Sequence, residues 1–191
     1  MEYTSRLTWE ALVLPEMQIT AELMASWMTM TEAKSEVYEK NLYHYEKDAA
    51  IARRFPFIWR RLTFLNDGEW LNLFLSDVSN AKILALYTIF EDNNLFALVI
   101  DQVVSEKLKD LSPSLYKSDI LQLFEKLDPY EPTISQQTVQ TRAKICQVIL
   151  KILKEVGMLN DDRLTNLYIP ISISDYLEKK EHGKEFLFII S

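Results

Sequence analysis

Residues 135–157 read SQQTVQTRAKICQVILKILKEVG, and this stretch decides the fold class. Ser135 offers an N-cap, and Gly157 offers a left-handed stop directly after Val156. Between them Ile145, Ile149, Ile152 and Val156 fall on one face at the 100° helical step. Gln140, Lys144, Gln147, Lys151 and Lys154 fall on the opposite face. The pattern predicts a long amphipathic helix with one side in a core and a basic side turned outward.

The segments around it extend the same reading. Asp128-Pro129-Tyr130-Glu131-Pro132 ends a helix predicted over 116–127, and Leu95, Leu98, Val99, Val103 and Leu108 trace an apolar face over 95–108. Helices are also predicted over 80–90 and 69–75, with Asn66-Asp67-Gly68 as a stop and turn. Pro56 predicts a kink or restart between 49–54 and 57–65, because proline removes a helical bond and crowds the preceding turn. Further back lie helices over 31–45 and over 8–30, the latter broken near Pro15 with Glu16 at its positive end. Beyond Gly157 the character changes. Residues 167–173 alternate and 185–190 are aromatic and β-branched, which predicts two strands joined across 175–184.

The expected fold is therefore mostly α, a multi-helix protein with a small C-terminal β-hairpin. A basic helix followed by a hairpin is the order of a winged-helix module. Ser112-Pro113-Ser114 is the expected seam between an N-terminal helical domain, 1–112, and a C-terminal helical domain with the hairpin, 113–191.

Composition narrows the function. The 191 residues include 48% apolar side chains, enough for a buried core. The three glycines, Gly68, Gly157 and Gly183, stand too far apart for a phosphate-cradling loop. Cys146 has no second cysteine to pair with, and His44 and His182 supply no zinc spacing. The carboxylate pairs Glu91-Asp92 and Asp161-Asp162 read as solvated surface. No cofactor, metal or small-molecule substrate is expected, and an enzyme is the least favoured class. Glu2, Arg6 and Glu10 interrupt any apolar leader, and no run reaches the roughly 20 residues of a spanning helix. A cytoplasmic protein without a membrane partner is expected.

The net charge of −7 conceals a segregation. Residues 64–133 hold five Lys/Arg against twelve Asp/Glu. Two flanking islands contain no acid. One holds Arg53, Arg54, Arg60 and Arg61, and the other Arg142, Lys144, Lys151 and Lys154. The arginines pair at a spacing of seven, with Phe57 and Trp59 between them. Guanidinium groups beside aromatic rings suit phosphate contact and stacking, and equally suit a solvated face paired with the acidic middle.

Read in order, several short motifs resemble the BrxA family, the small component of the BREX (bacteriophage exclusion) defence systems of bacteria. They are Leu7-Thr8 with Ala11-Leu12-Val13, Pro15-Glu16, Ile19-Thr20-Ala21-Glu22-Leu23, Glu39-Lys40-Asn41-Leu42 and Arg60-Arg61-Leu62. Leu98-Val99-Ile100-Asp101-Gln102-Val103-Val104 with Glu106-Lys107 follows, then Ser135 with Thr138, Leu153 through Leu159, and Pro170. The resemblance implies a helical protein that binds double-stranded DNA beside larger BREX proteins, including a methyltransferase and an ATPase. Two functions stand open: DNA binding through the eight basic residues, or a protein–protein adaptor whose acidic middle docks a basic partner.

Overall fold

The basic-faced helix starts three residues later than its nearest serine suggests. In the computed structural model, which describes residues 5–8, 11–65 and 68–191, Thr138 is the N-cap and its hydroxyl accepts from the Thr141 N–H at 3.1 Å. Ser135 instead closes a single turn, α9 (Pro132–Ser135). The helix itself, α10 (Val139–Val156), ends where predicted, with Gly157 in the left-handed region at φ 92°. Ile145, Ile149, Ile152 and Val156 are buried, while Lys144, Gln147, Lys151 and Lys154 are exposed.

The mostly helical fold is as expected. The chain divides into two compact units, residues 13–88 and residues 1–12 with 89–191. The first unit holds α1 (Leu14–Ala25), α2 (Met30–Glu39), α3 (Asp48–Thr63), α4 (Gly68–Ser76) and most of α5 (Val78–Asp92). There α1 packs against α2, α3 and α4, burying Met17, Val37, Ile51, Phe55, Ile58, Leu62 and Phe74. The stop expected at Asn66-Asp67 lies outside the described residues.

Of the kink or restart expected at Pro56, the restart does not occur: α3 is one element of 16 residues. On the helical wheel Pro56 and Ala52 lie away from the buried side formed by Ile51, Phe55, Ile58 and Leu62. Ala52 is exposed, and on that side of the helix water can satisfy the carbonyl that loses its donor to Pro56.

In the second unit, α6 (Asn94–Val99), a π-helical turn (Ile100–Val104) and α7 (Ser105–Leu108) follow without a gap. Asn93 caps this run, its side chain accepting from the Phe96 N–H at 3.0 Å. Then come α8 (Lys117–Leu127), α9 and α10; α10 packs against α8 and against the 3₁₀ turn Ser5–Thr8, whose Leu7 is buried. The segment 112–114, where a seam was expected, lies inside this unit, and Ser114 forms a β-bridge to Arg163.

The C-terminal strands require correction. The hairpin exists, but it is β1 (Leu159–Asn160) and β2 (Arg163–Leu164), directly after α10, with Leu159 opposite Leu164. Its two-residue turn, Asp161-Asp162, places Asp161 at φ 53°, where aspartate is tolerated. Of the residues predicted as strands, 171–173 fall in α11 (Ile171–Leu177) and 185–190 in α12 (Gly183–Ile190), while 167–170 form no regular element. The burial pattern gives the reason: Ile173, Tyr176 and Leu177, then Phe186, Leu187, Ile189 and Ile190, recur at helical spacing. Side-chain packing outweighs the strand preference of β-branched residues. A Cβ at Gly183 would sit 1.7 Å from the Leu177 carbonyl oxygen, so only glycine lets α12 begin this close to the end of α11.

Candidate nucleic-acid interface

The two basic islands sit on one helix each, and helical phase decides how each is used. In α3 the spacing of seven brings Arg53 onto the face of Arg60, and Arg54 onto the face of Arg61, about 100° further round. The first pair points away from the core: Arg53 is exposed and Arg60 half-buried. The second pair turns inward.

Arg61 is 0% exposed, its guanidinium 4.9 Å from the centre of the Phe57 ring. Arg54 is half-buried. Its Nη1 donates to the Tyr45 hydroxyl at 2.8 Å and lies 3.6 Å from the Glu16 carboxylate, to which the Tyr45 hydroxyl also donates. Burial, reinforced by Glu16, pushes the Tyr45 hydroxyl up to about 12, so it stays a neutral donor. Thr20 and Tyr43 share a hydrogen bond of 2.6 Å beside it. This part-buried polar set ties α1 to α3. Phe57 is buried and Trp59 leans on Phe55 at 5.8 Å, so these rings serve the core rather than a surface stack.

In α10 the order reverses. Lys144, Lys151 and Lys154 stand exposed along a shallow groove lined also by Gln147, Val148 and Leu150. Lys144 donates to Gln147 at 3.3 Å and Lys151 lies 3.5 Å from Glu155, surface contacts worth little and easily exchanged. Arg142 departs from this face. Its Nη2 donates to Asp128 and, at 2.9 Å, to the Ile134 carbonyl, which fastens α10 to the turn after α8. Of the eight expected contact residues, Arg53, Lys144, Lys151 and Lys154 are exposed, Arg54, Arg60 and Arg142 are half-buried, and Arg61 is enclosed.

The hairpin lies earlier in the chain than the alternating pattern of the tail predicts. Its position adds Arg163, exposed on β2, to the basic surface residues, and sequence reasoning missed it. It also adds Asp161 and Asp162, with the Tyr116 hydroxyl donating to Asp162 at 2.5 Å. A signal was present, since Asn160-Asp161-Asp162 is turn-forming, but it lacks the glycine that makes a hairpin turn obvious.

Elsewhere, His182 Nδ1 lies 3.0 Å from the Glu91 carboxylate, and that hydrogen bond raises the imidazole pKa despite partial burial. Cys146 is buried, which pushes its thiol up to about 11 and away from thiolate chemistry. Among the described residues no three His, Cys, Asp or Glu side chains converge as metal ligands. No single helix among them is long and apolar enough to cross a membrane; α5 and the run 94–108 reach that composition only together and are bent by 107°.

Three comparisons bear on this geometry. The crystal structure of an uncharacterized protein from Magnetospirillum magneticum superposes with a TM-score of 0.82 over 100% of both chains, at 21% identity, and shows the same fold. The BREX protein BrxA of Bacillus cereus (strain H3081.97) is 22% identical over 161 residues, 84% of this chain and 80% of that protein. The BrxA family profile matches residues 1–181, so the chain belongs to the BrxA family.

Proposed function

We propose that this protein is a cytoplasmic, double-stranded-DNA-binding accessory component of a BREX anti-phage system, acting beside the methyltransferase and ATPase of that system and performing no chemistry itself. One observation carries the reading. Lys144, Lys151 and Lys154 form an exposed row on α10, within a stretch, residues 134–154, that contains no acid, in a chain of net charge −7. Glu155, 3.5 Å from Lys151, makes only an exposed pairing that a phosphate can displace, so the row can release counterions from a phosphate backbone, which supplies most of the free energy of sequence-tolerant binding. Arg53 is the exposed basic residue of the other island. The order of α10 and its hairpin is compatible with a winged helix, and family membership supports a role in the BREX system.

Anisotropy of a labelled 20-base-pair duplex at 50 and 200 mM salt tests this. Binding should weaken steeply with salt. Replacing Lys144, Lys151 and Lys154 with alanine should flatten the log–log slope by about 3, roughly 0.9 for each phosphate no longer neutralised. Absence of binding at 50 mM, or a slope that the triple variant leaves unchanged, refutes it.

The adaptor reading has an observation of its own. Asp161 and Asp162 occupy the hairpin tip, where a DNA-binding wing would need positive charge. An adaptor would retain protein partners through nuclease treatment of a whole-operon lysate while failing to shift free duplex.

A further inference from the structure

Three helices end in the same hydrogen-bond pattern, and one of them uses an unexpected residue. At the end of α10, Gly157 N–H bonds to Lys154 O at 3.1 Å and Met158 N–H to Leu153 O at 2.9 Å. At the end of α2, Asn41 bonds to Tyr38 O at 3.3 Å and Leu42 to Val37 O at 3.2 Å. At the end of α1, Trp27 bonds to Met24 O at 3.0 Å and Met28 to Leu23 O at 3.4 Å. Each is a Schellman closure, and each needs its first residue in the left-handed region, at φ 92°, 45° and 60° respectively. Glycine and asparagine are the ordinary occupants. Tryptophan is not, since its Cβ crowds the adjoining backbone there.

Trp27 is also 95% exposed, so the fold gains no buried apolar area from it. A residue that opposes local geometry and contributes no core points to a use outside the fold. Beside Trp27 and Met28 runs a groove whose other wall is the face of α2 carrying Glu32, Glu36 and Glu39, at i, i+4 and i+7. The Glu32 carboxylate accepts from Thr29, and Glu36 pairs with Lys40 in an exposed contact that a competing cation can exchange. Glu39 is exposed.

We propose that this groove docks an arginine-bearing segment of a partner protein, with Trp27 as the anchor. Charge complementarity selects the occupant. Three carboxylates along about 10 Å of helix repel phosphate and attract guanidinium groups spaced one helical turn apart. An indole face adds cation–π stacking for which arginine is the better partner than lysine, and tryptophan is enriched among the residues that dominate interfaces. The site is independent of the lysine face of α10, so it stands or falls separately from DNA binding.

The test uses the full chain and a labelled, capped twelve-residue peptide of leucine and alanine with arginines at i, i+4 and i+7; a glutamate version serves as control. Wild type should bind the arginine peptide at 50 mM salt and ignore the glutamate one. Trp27→Gly should weaken binding about tenfold or more while raising Tm, because glycine relieves the left-handed position. Glu39→Lys should weaken it as well, and Lys144, Lys151 and Lys154 to alanine should not. Undiminished peptide binding by Trp27→Gly overturns the proposal, as does a lowered Tm, which would make Trp27 a structural residue. Loss of duplex affinity, or of a dimer in sedimentation, on Trp27→Gly would overturn it in favour of DNA or a second copy.

Discussion

Helices α3 and α10 carry the same formal charge in their basic stretches and spend it in opposite ways. In α3 the inward pair, Arg54 and Arg61, is consumed by the fold: one joins Glu16 and Tyr45, and the other lies enclosed against Phe57. In α10 one cation, Arg142, is consumed in this way and three lysines remain at the surface. The difference follows side-chain chemistry. A planar guanidinium with five donors and weak hydration can be buried against a ring and several acceptors, whereas an ammonium holds its water tightly and stays outside. Net charge per segment therefore says little about binding until each cation has been assigned to core or solvent.

Three substitutions sharpen the contrast, the largest effect first. Arg61→Ala should destabilise the protein by about 3 kcal/mol, since it opens a cavity at a fully buried side chain and removes its cation–π contact with the Phe57 ring. Urea denaturation measures this, and a loss below about 1 kcal/mol would mean that Arg61 is not a core residue. Arg142→Ala should cost about 1.5 kcal/mol by the same assay. It removes charge-assisted bonds to Asp128 and Ile134, but it also removes a buried Nε that has no hydrogen-bond partner among the described residues, which offsets part of the cost. Lys151→Ala should change stability by less than about 0.5 kcal/mol, because its Glu155 pairing is exposed. A larger loss there would move α10 towards the behaviour of α3 and weaken its candidacy as a binding face.

Residues 135–157 were legible because one helix carried every signal at once: period, cap and stop. Even there the cap moved from Ser135 to Thr138, a shift that local chemistry could not arbitrate, since both hydroxyls are valid N-caps. The tail misled for the opposite reason. Ile171-Ser172-Ile173 and Phe186-Leu187-Phe188 are short apolar runs whose period is ambiguous over so few residues. Only the burial of Tyr176 and Leu177 with Ile173 makes the helical choice visible.

By itself the sequence determined the helical class, the two faces of α10, the stop at Gly157 and membership of a family whose motifs run in order along the chain. These are local properties, set by a period of 3.6 and by the conformations that individual residues allow. Tertiary structure alone decided that Arg61 is enclosed while Arg53 is not, that Pro56 stays inside a helix on the side away from the core, and that Gly183 must be glycine because the Leu177 carbonyl lies beside it. Each of these depends on what another segment places against the residue, and burial, unlike helical phase, is a relation between distant parts of the chain.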